Sequence, residues 1–266
     1  MNSAIIVCTI AKMPDSKRKP VGKQGPARTG LARALSKLGY CSRSAAQKLI
    51  TEGRVRLNGR TVRNPEAPVN LNSDQIEVGR NKILGANKTY LMMNKPRGLV
   101  TTAQDEKGRQ TVYSLLPPNQ QWLAPVGRLD KASEGLLLLT NDSHWAARII
   151  GPESHIPKTY HVQISAQPDE RLLAQLVAGL PESGELLRSK EAQILRRGEK
   201  NCWIEIVLEE GKNRHIRRMF AARDIEVLRL VRVAIGNLQL GDLPKGKVRE
   251  LTQREVKALG GAGKNV

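Results

Sequence analysis

The sequence predicts an α+β protein: a small, basic helix-helix-hairpin domain linked to a larger domain with a mixed, mainly antiparallel sheet flanked by helices. Three observations carry this. Near the N-terminus, two short runs of helical periodicity lead into an alternating stretch centred on Asn58-Gly59. Between residues 79 and 87 the chain turns glycine-rich and polar. Beyond it, short apolar strands and helical stretches follow in mixed order, without the regular βαβ repetition of a doubly wound sheet.

Taken in order, Lys12, Lys17, Arg18, Lys19, Lys23 and Arg28 are interspersed with Pro14, Pro20 and Pro26. Such a composition cannot bury enough apolar surface to fold. Residues 1–29 are therefore expected to be a disordered basic extension. Met1 to Ala11 has no basic region ahead of its apolar one, which argues against an export signal. From Gly30, Leu31, Leu35 and Leu38 share one helical face. After Gly39 and a cap signal at Ser42, Ala45, Ala46, Leu49 and Ile50 share another. Gly53 to Val62 alternates apolar and basic residues about Asn58-Gly59, the strongest short hairpin signal. The first domain is placed at 30–78 and a linker at 79–87.

The larger domain is placed at 88–255. Its expected strands are Tyr90 to Asn94, Leu136 to Thr140, Thr159 to Ile164, Cys202 to Leu208 and Leu228 to Val233. Its expected helices are His144 to Ile149, Pro168 to Ala178 and Arg214 to Ala222, the last anchored by the single Phe, Phe220. Residues 256–266 are expected to be a flexible tail.

With 266 residues and 39% apolar content the chain can bury an ordinary core. Lys and Arg number 44 against 25 acidic residues, a net charge of +19, which points to a phosphate-rich partner and first to nucleic acid. Residues 12 to 63 alone carry fourteen Lys or Arg against Asp15 and Glu52. The basic residues are spread over several segments, which disfavours a membrane surface, and no apolar run reaches the roughly 18 to 20 residues of a spanning helix. Cys8, Cys41 and Cys202 are isolated, so neither a disulfide framework nor a zinc site is supported and a reducing cytoplasm fits best. His144, His155, His161 and His215 lack metal-ligand spacing, and no phosphate-binding glycine motif is present. No metal and no cofactor is expected.

The chemistry concentrates in Val126-Gly127-Arg128-Leu129-Asp130, which continues through Ser133-Glu134-Gly135 into the apolar run Leu136 to Leu139. A carboxylate in such a turn is too costly to bury unpaired, so it meets a cation or faces a cleft. The candidate cation lies in Gly211-Lys212-Asn213-Arg214-His215-Ile216-Arg217-Arg218-Met219-Phe220. Asp142 and Glu134 read as capping or surface acids. Metal-dependent nuclease action would need clustered carboxylates, which the surroundings of Asp130 do not offer.

Two resemblances follow from these residues. Leu38 to Ile50 with Gly53 to Gly59 resembles the RNA-binding module first described in a small-subunit ribosomal protein. That resemblance implies a two-helix RNA-binding face, with Arg43, Lys48, Arg54 and Arg56 on the RNA backbone. Asn94-Lys95-Pro96-Arg97-Gly98, the Asp130 segment, Lys158-Thr159-Tyr160-His161-Val162 and Gly211 to Met219 together resemble the RsuA-type ribosomal RNA pseudouridine synthases, over residues 30 to 250 or so. Ser133 stands where that family usually has Thr, which keeps the hydroxyl. Asn213-Arg214-His215 looks more like members that modify the large subunit.

The resemblance implies isomerisation of a uridine in ribosomal RNA, free or in an assembling subunit, by a cofactor-free monomer. Asp130 would be the catalytic carboxylate, Tyr160 the aromatic stacking on a flipped-out base, and Arg217 the cation paired with Asp130. Arg128, Lys95, Lys212, Arg214 and Arg218 would contact RNA. Whether Asp130 acts as nucleophile or removes a sugar proton stays open. The competing function is a non-catalytic RNA-binding ribosome assembly factor; both functions predict salt-sensitive RNA affinity, and only the first uses Asp130, Tyr160 and Arg217 together.

Overall fold

The computed structural model describes residues 28–103, 105–118 and 121–261. The expected N-terminal extension up to residue 27, including Cys8, and residues 262–266 of the expected tail lie outside this description. Among the described residues, no helix is long and apolar enough to cross a membrane.

The N-terminal domain runs β1 (Thr29–Gly30), α1 (Leu31–Lys37), α2 (Arg43–Thr51), β2 (Val55–Leu57), β3 (Arg60–Thr61), β4 (Pro68–Val69), β5 (Ile76–Val78) and β6 (Asn81–Lys82). Ser42 starts α2 by accepting the Ala45 amide at 3.1 Å, satisfying a donor the first helical turn leaves free. Asn58 and Gly59 both have positive φ, as a tight two-residue hairpin turn between β2 and β3 requires. Leu31, Leu35, Ile50 and Val55 close the core of this domain and are fully buried.

Two boundaries differ from expectation. Thr29, assigned to the extension, is held in β1 against Val69. Gly79, Asn81 and Lys82, assigned to the linker, complete the β5–β6 hairpin, and Ile83 packs on the same core. The connection is thus shorter than the composition suggested, and it is fastened. The Ala86 amide bonds the Leu38 carbonyl, while Asn141 accepts the Thr89 amide at 3.0 Å and donates to the Asn87 carbonyl at 2.8 Å. The Trp122 amide also donates to the Gly39 carbonyl.

The larger domain runs β7 (Tyr90–Lys95), β8 (Ala124–Val126), β9 (Glu134–Thr140), α3 (Ser143–Ile150), β10 (Lys158–Ile164), α4 (Glu170–Ala178), β11 (Leu180–Glu182), β12 (Glu185–Leu187), β13 (Glu191–Arg197), β14 (Cys202–Leu208), α5 (His215–Ala221), β15 (Val227–Ile235), β16 (Leu238–Gln239), β17 (Val248–Glu250) and α6 (Gln253–Gly260). Nine of these strands form one sheet in the order β13-β14-β10-β15-β9-β7-β17, with β16 on β15 and β8 on β9. The ladder between β15 and β9 is parallel and the others in this sheet are antiparallel, so the sheet is mixed and mainly antiparallel.

β9 is apolar because both its faces are covered. Leu136 and Leu138 pack with Trp145 and Ile149 of α3 and with Val256 and Leu259 of α6. Leu137 and Leu139 pack on the other face with Val112, Leu123 and Leu129. A third cluster lies under α4 and α5 and includes Phe220, the expected anchor. Tyr160 borders both the α5 cluster and the Leu137 cluster, so it sits where the two halves of that face meet.

The expected tail begins inside α6. Thr252 and Glu255 form a reciprocal cap, Arg249 of β17 pairs with Glu255 at 2.6 Å, and the Trp145 indole donates to the Val256 carbonyl. β13 was not foreseen, because the alternation begun by Glu191-Ala192-Gln193-Ile194 is lost at a bulge between Ile194 and Arg196 and the rest of the strand is exposed.

Candidate active site

Asp130 lies in the turn between β8 and β9, half-buried, with the Ser133 amide closing the turn by donating a hydrogen bond to the Asp130 carbonyl at 3.0 Å. Gly127 (φ 75°) and Gly135 (φ 102°) bracket the turn. Gly135 is required twice over, by its left-handed backbone and because a Cβ there would stand 2.2 Å from the Arg232 carbonyl oxygen.

The turn is held from beneath. Lys95, at the end of β7, is fully buried, and its Nζ donates to the carbonyls of Ser133 at 2.8 Å, Pro96 at 3.1 Å and Asp130 at 3.2 Å. Burial pushes this ammonium down to about 8, against the opposing pull of Asp130 and Glu134. Thr101 Oγ1 donates to the Leu129 carbonyl at 2.8 Å, and the Gly98 amide to the Lys131 carbonyl at 2.8 Å. Lys95 therefore offers nothing to an RNA phosphate, contrary to the sequence expectation; two of its ammonium hydrogens are spent on the turn and the third on the Pro96 carbonyl.

Arg217, on α5, reaches the same turn but does not form the expected ion pair with Asp130. Its Nη2 donates to the Ala132 carbonyl at 3.2 Å, its Nη1 to the Val227 carbonyl at 3.0 Å, and its Nε is buried without an acceptor. Burial lowers its proton affinity, Arg214 and Arg97 lower it further, and Asp130 acts in the opposite direction. The Asp130 carboxylate is thus close enough to interact with both Lys95 and Arg217, while Arg97 and Arg214 crowd the Arg217 guanidinium with like charge. Arg97 was not singled out in the sequence, although it directly follows Lys95-Pro96.

Tyr160 is half-buried on β10, opposite Ile206 of β14 and Arg232 of β15. Arg128 is exposed beside Asp130, and Arg214, held at positive φ ahead of α5, is exposed as well. Lys212 and Arg218 are not free. Lys212 Nζ donates to the Leu186 carbonyl at 2.8 Å and lies 3.3 Å from Glu210. Arg218 pairs with both Glu182 and Glu185, at 2.7 Å for the latter, and so ties α5 to the β11–β12 hairpin. In the N-terminal domain Arg43 and Lys48 are exposed, Arg54 stands 3.8 Å from Glu52, and Arg56 is closed by Glu77 at 2.6 Å.

Asp142 caps α3, accepting the His144 and Trp145 amides. Glu134, read with it as a capping or surface acid, is instead buried and bridged by Arg229 at 3.1 Å and Lys245 at 2.5 Å. Burial works to raise its carboxyl, yet these two cations more than offset it and hold it below the usual range. Nothing local announced this, since both partners lie about a hundred residues downstream.

Residues 89–222 match the RNA pseudouridylate synthase family, and residues 29–76 match the S4 domain. The chain is 38% identical over 240 residues to the ribosomal large subunit pseudouridine synthase B of Bacillus subtilis, covering 88% of this chain and 98% of that one. It is 37% identical over 226 residues to an uncharacterized RNA pseudouridine synthase of Aquifex aeolicus, covering 85% and 91%. A crystal structure of a pseudouridylate synthase superposes with a TM-score of 0.61 at 30% identity, covering 87% of this chain and 99% of that one. With the Asp130 turn and Tyr160 brought to one region of a mixed sheet behind an S4 domain, the chain belongs to the RNA pseudouridine synthase family.

Proposed function

We propose that this protein converts one uridine of large-subunit ribosomal RNA to pseudouridine, acting in the cytoplasm as a monomer. The reaction breaks the bond from C1′ of the sugar to N1 of uracil, forms one from C1′ to C5, and exchanges the C5 proton for one on N1. Atoms and electrons balance within the nucleotide, so no cofactor is drawn in. The observation that carries the reading is the Asp130 turn, held by Lys95 and Thr101 and flanked by Tyr160 and Arg217.

A paired base is out of reach inside a helix, so the target nucleotide is extruded and its base is stacked on Tyr160. Asp130 reacts as its carboxylate. Arg217, with an unsatisfied Nε and no carboxylate bound to it, supplies the balancing charge and fixes the turn through Ala132. Arg128, Arg97 and Arg214 meet phosphates, and Arg43, Lys48 and Arg54 of the S4 domain meet backbone away from the target. Large-subunit RNA is favoured by the likeness to the ribosomal large subunit pseudouridine synthase B of Bacillus subtilis.

Carbodiimide mapping of pseudouridine in both ribosomal RNAs from cells lacking the gene tests this. One site lost from the large-subunit RNA, restored by the parent and not by Asp130→Asn, is the expected result. Loss from the small-subunit RNA refutes the target, and restoration by Asp130→Asn refutes the carboxylate.

A further inference from the structure

The active-site face is one side of the sheet; the other is only half covered. Val231 of β15 stands beside His161 on β10 and Glu134 on β9, which places these residues on one face together with Leu136 and Leu138. At the β9 end that face is roofed by α3 and α6. At the β13–β14–β10 end it carries an open recess of about 370 Å³ lined by His161, Leu195, Arg196 and Trp203. Along β14, Cys202, Ile204 and Ile206 turn into the core under α5, so Trp203 points away from Tyr160's side.

Its chemistry is specific. The Trp203 indole has the Arg196 guanidinium 5.9 Å and the Arg229 guanidinium 5.4 Å from its ring centre. Arg229 is fixed by the buried Glu134 carboxylate, whereas Arg196 is exposed and has no carboxylate within ion-pair distance among the described residues. Leu195 beside it is 43% exposed, and Glu205, the acid of this patch, is bound to His161 at 3.2 Å and to Gln193 at 2.8 Å. An aromatic face, an apolar rim and a cation with no carboxylate partner, in a nucleotide-sized recess, are what an unpaired nucleotide needs: stacking for its base once Arg196 swings from the ring to the phosphate.

We propose that this recess is a second RNA-binding site, on the side of the sheet opposite the active site, that holds an unpaired nucleotide of the substrate by stacking on Trp203 with its phosphate on Arg196. It rests on RNA being the substrate but not on which uridine is modified. The net charge of +19 supports a polyanion over an acidic peptide, because Arg196 is one of many cations and Trp203 adds a planar partner a peptide does not require.

The test uses the full chain and fluorescein-labelled single-stranded decamers of adenylate and uridylate, read by anisotropy. Trp203→Ala and Arg196→Ala are expected to weaken decamer binding roughly tenfold each, with Trp203→Phe close to the parent. A uridylate decamer bearing 4-thiouridine is expected to crosslink to Trp203. Arg196 is exposed, so its variant remains informative if Trp203→Ala fails to fold. Equal decamer affinity for the parent and Arg196→Ala, or a crosslink found only at Tyr160, overturns the site. Variants that keep decamer affinity but lose retention on ribosomal particles assign the recess to a protein segment and also overturn it. Pseudouridine formation by the parent is scored separately: its absence with decamer binding intact defeats the functional reading alone.

Discussion

The ammonium of Lys95 stands 3.2 Å from the carbonyl oxygen of Asp130, with the carbonyl of Ser133 at 2.8 Å, so one buried cation ties both ends of the turn that presents the candidate carboxylate. The proton affinity of Lys95 is lowered to about 8, and this sets a measurable sign. Between pH 8 and 10.5 the folded protein has released a proton that the unfolded chain still holds, so stability from this group rises with pH. Chemical denaturation of the parent and Lys95→Met should show the parent gaining on the variant across that window, by on the order of 3 kcal/mol. A parent-minus-variant stability difference that stays flat or falls as pH rises removes the buried ammonium from the account.

Gly135→Ala should lower stability by more than about 3 kcal/mol, near 10 °C in melting temperature, because its Cβ meets the Arg232 carbonyl on the neighbouring strand. Gly184→Ala, also at positive φ but with open space around it, serves as control and should cost less. Similar melting temperatures for the two variants would contradict the close approach of β9 and β15.

Glu134→Gln should destabilise the fold by about 1–3 kcal/mol. The amide leaves Arg229 and Lys245 without a counter-charge, and both are partly exposed, so water limits the penalty. Because the carboxyl of Glu134 is held below its usual range, its contribution is present above the unfolded value and is lost as pH falls through the folded one. The parent and variant should therefore converge in stability on acidification; curves that stay parallel down to pH 3 argue against the pair.

Arg218→Ala and Arg43→Ala should behave differently although both remove one positive charge. Arg218 is closed by Glu182 and Glu185, so its loss should loosen the β11–β12 hairpin to proteolysis and leave the salt dependence of RNA affinity nearly unchanged. Arg43 is exposed, and its loss should reduce the slope of log affinity against log salt by about one. An altered slope for Arg218→Ala with an intact hairpin returns that arginine to the RNA interface.

Much of this was legible in the sequence where the cause is local. Asn58-Gly59 dictates its hairpin because only left-handed residues close that turn, and Ser42 and Asp142 announce helix starts through their own side chains. The strand after Asp130 was legible because both of its faces are apolar. Lys95, Arg218 and Glu134 were misread for one common reason. Whether a charge points to water or to a partner depends on segments far away in sequence: Lys95 meets Ser133, Arg218 meets Glu182, and Glu134 meets Arg229 and Lys245. The helix Gln253–Gly260 escaped notice because it buries only Val256 and Leu259 and is followed by a glycine-rich end.

Strand β9 has the candidate carboxylate in the turn four residues before its first residue and Asn141, which clasps the connection to the S4 domain, just after its last. Seven residues of extended chain span about 23 Å, and this one is sealed on both faces and cannot slip. It acts as a fixed ruler between the clasp at Asn141 and the turn that carries the candidate carboxylate. Under the proposed function, this spacing would help select the uridine by its distance from the RNA feature held by the first domain, and lengthening the connection at Asn87 should broaden the set of uridines modified, as read by pseudouridine mapping, without lowering the rate.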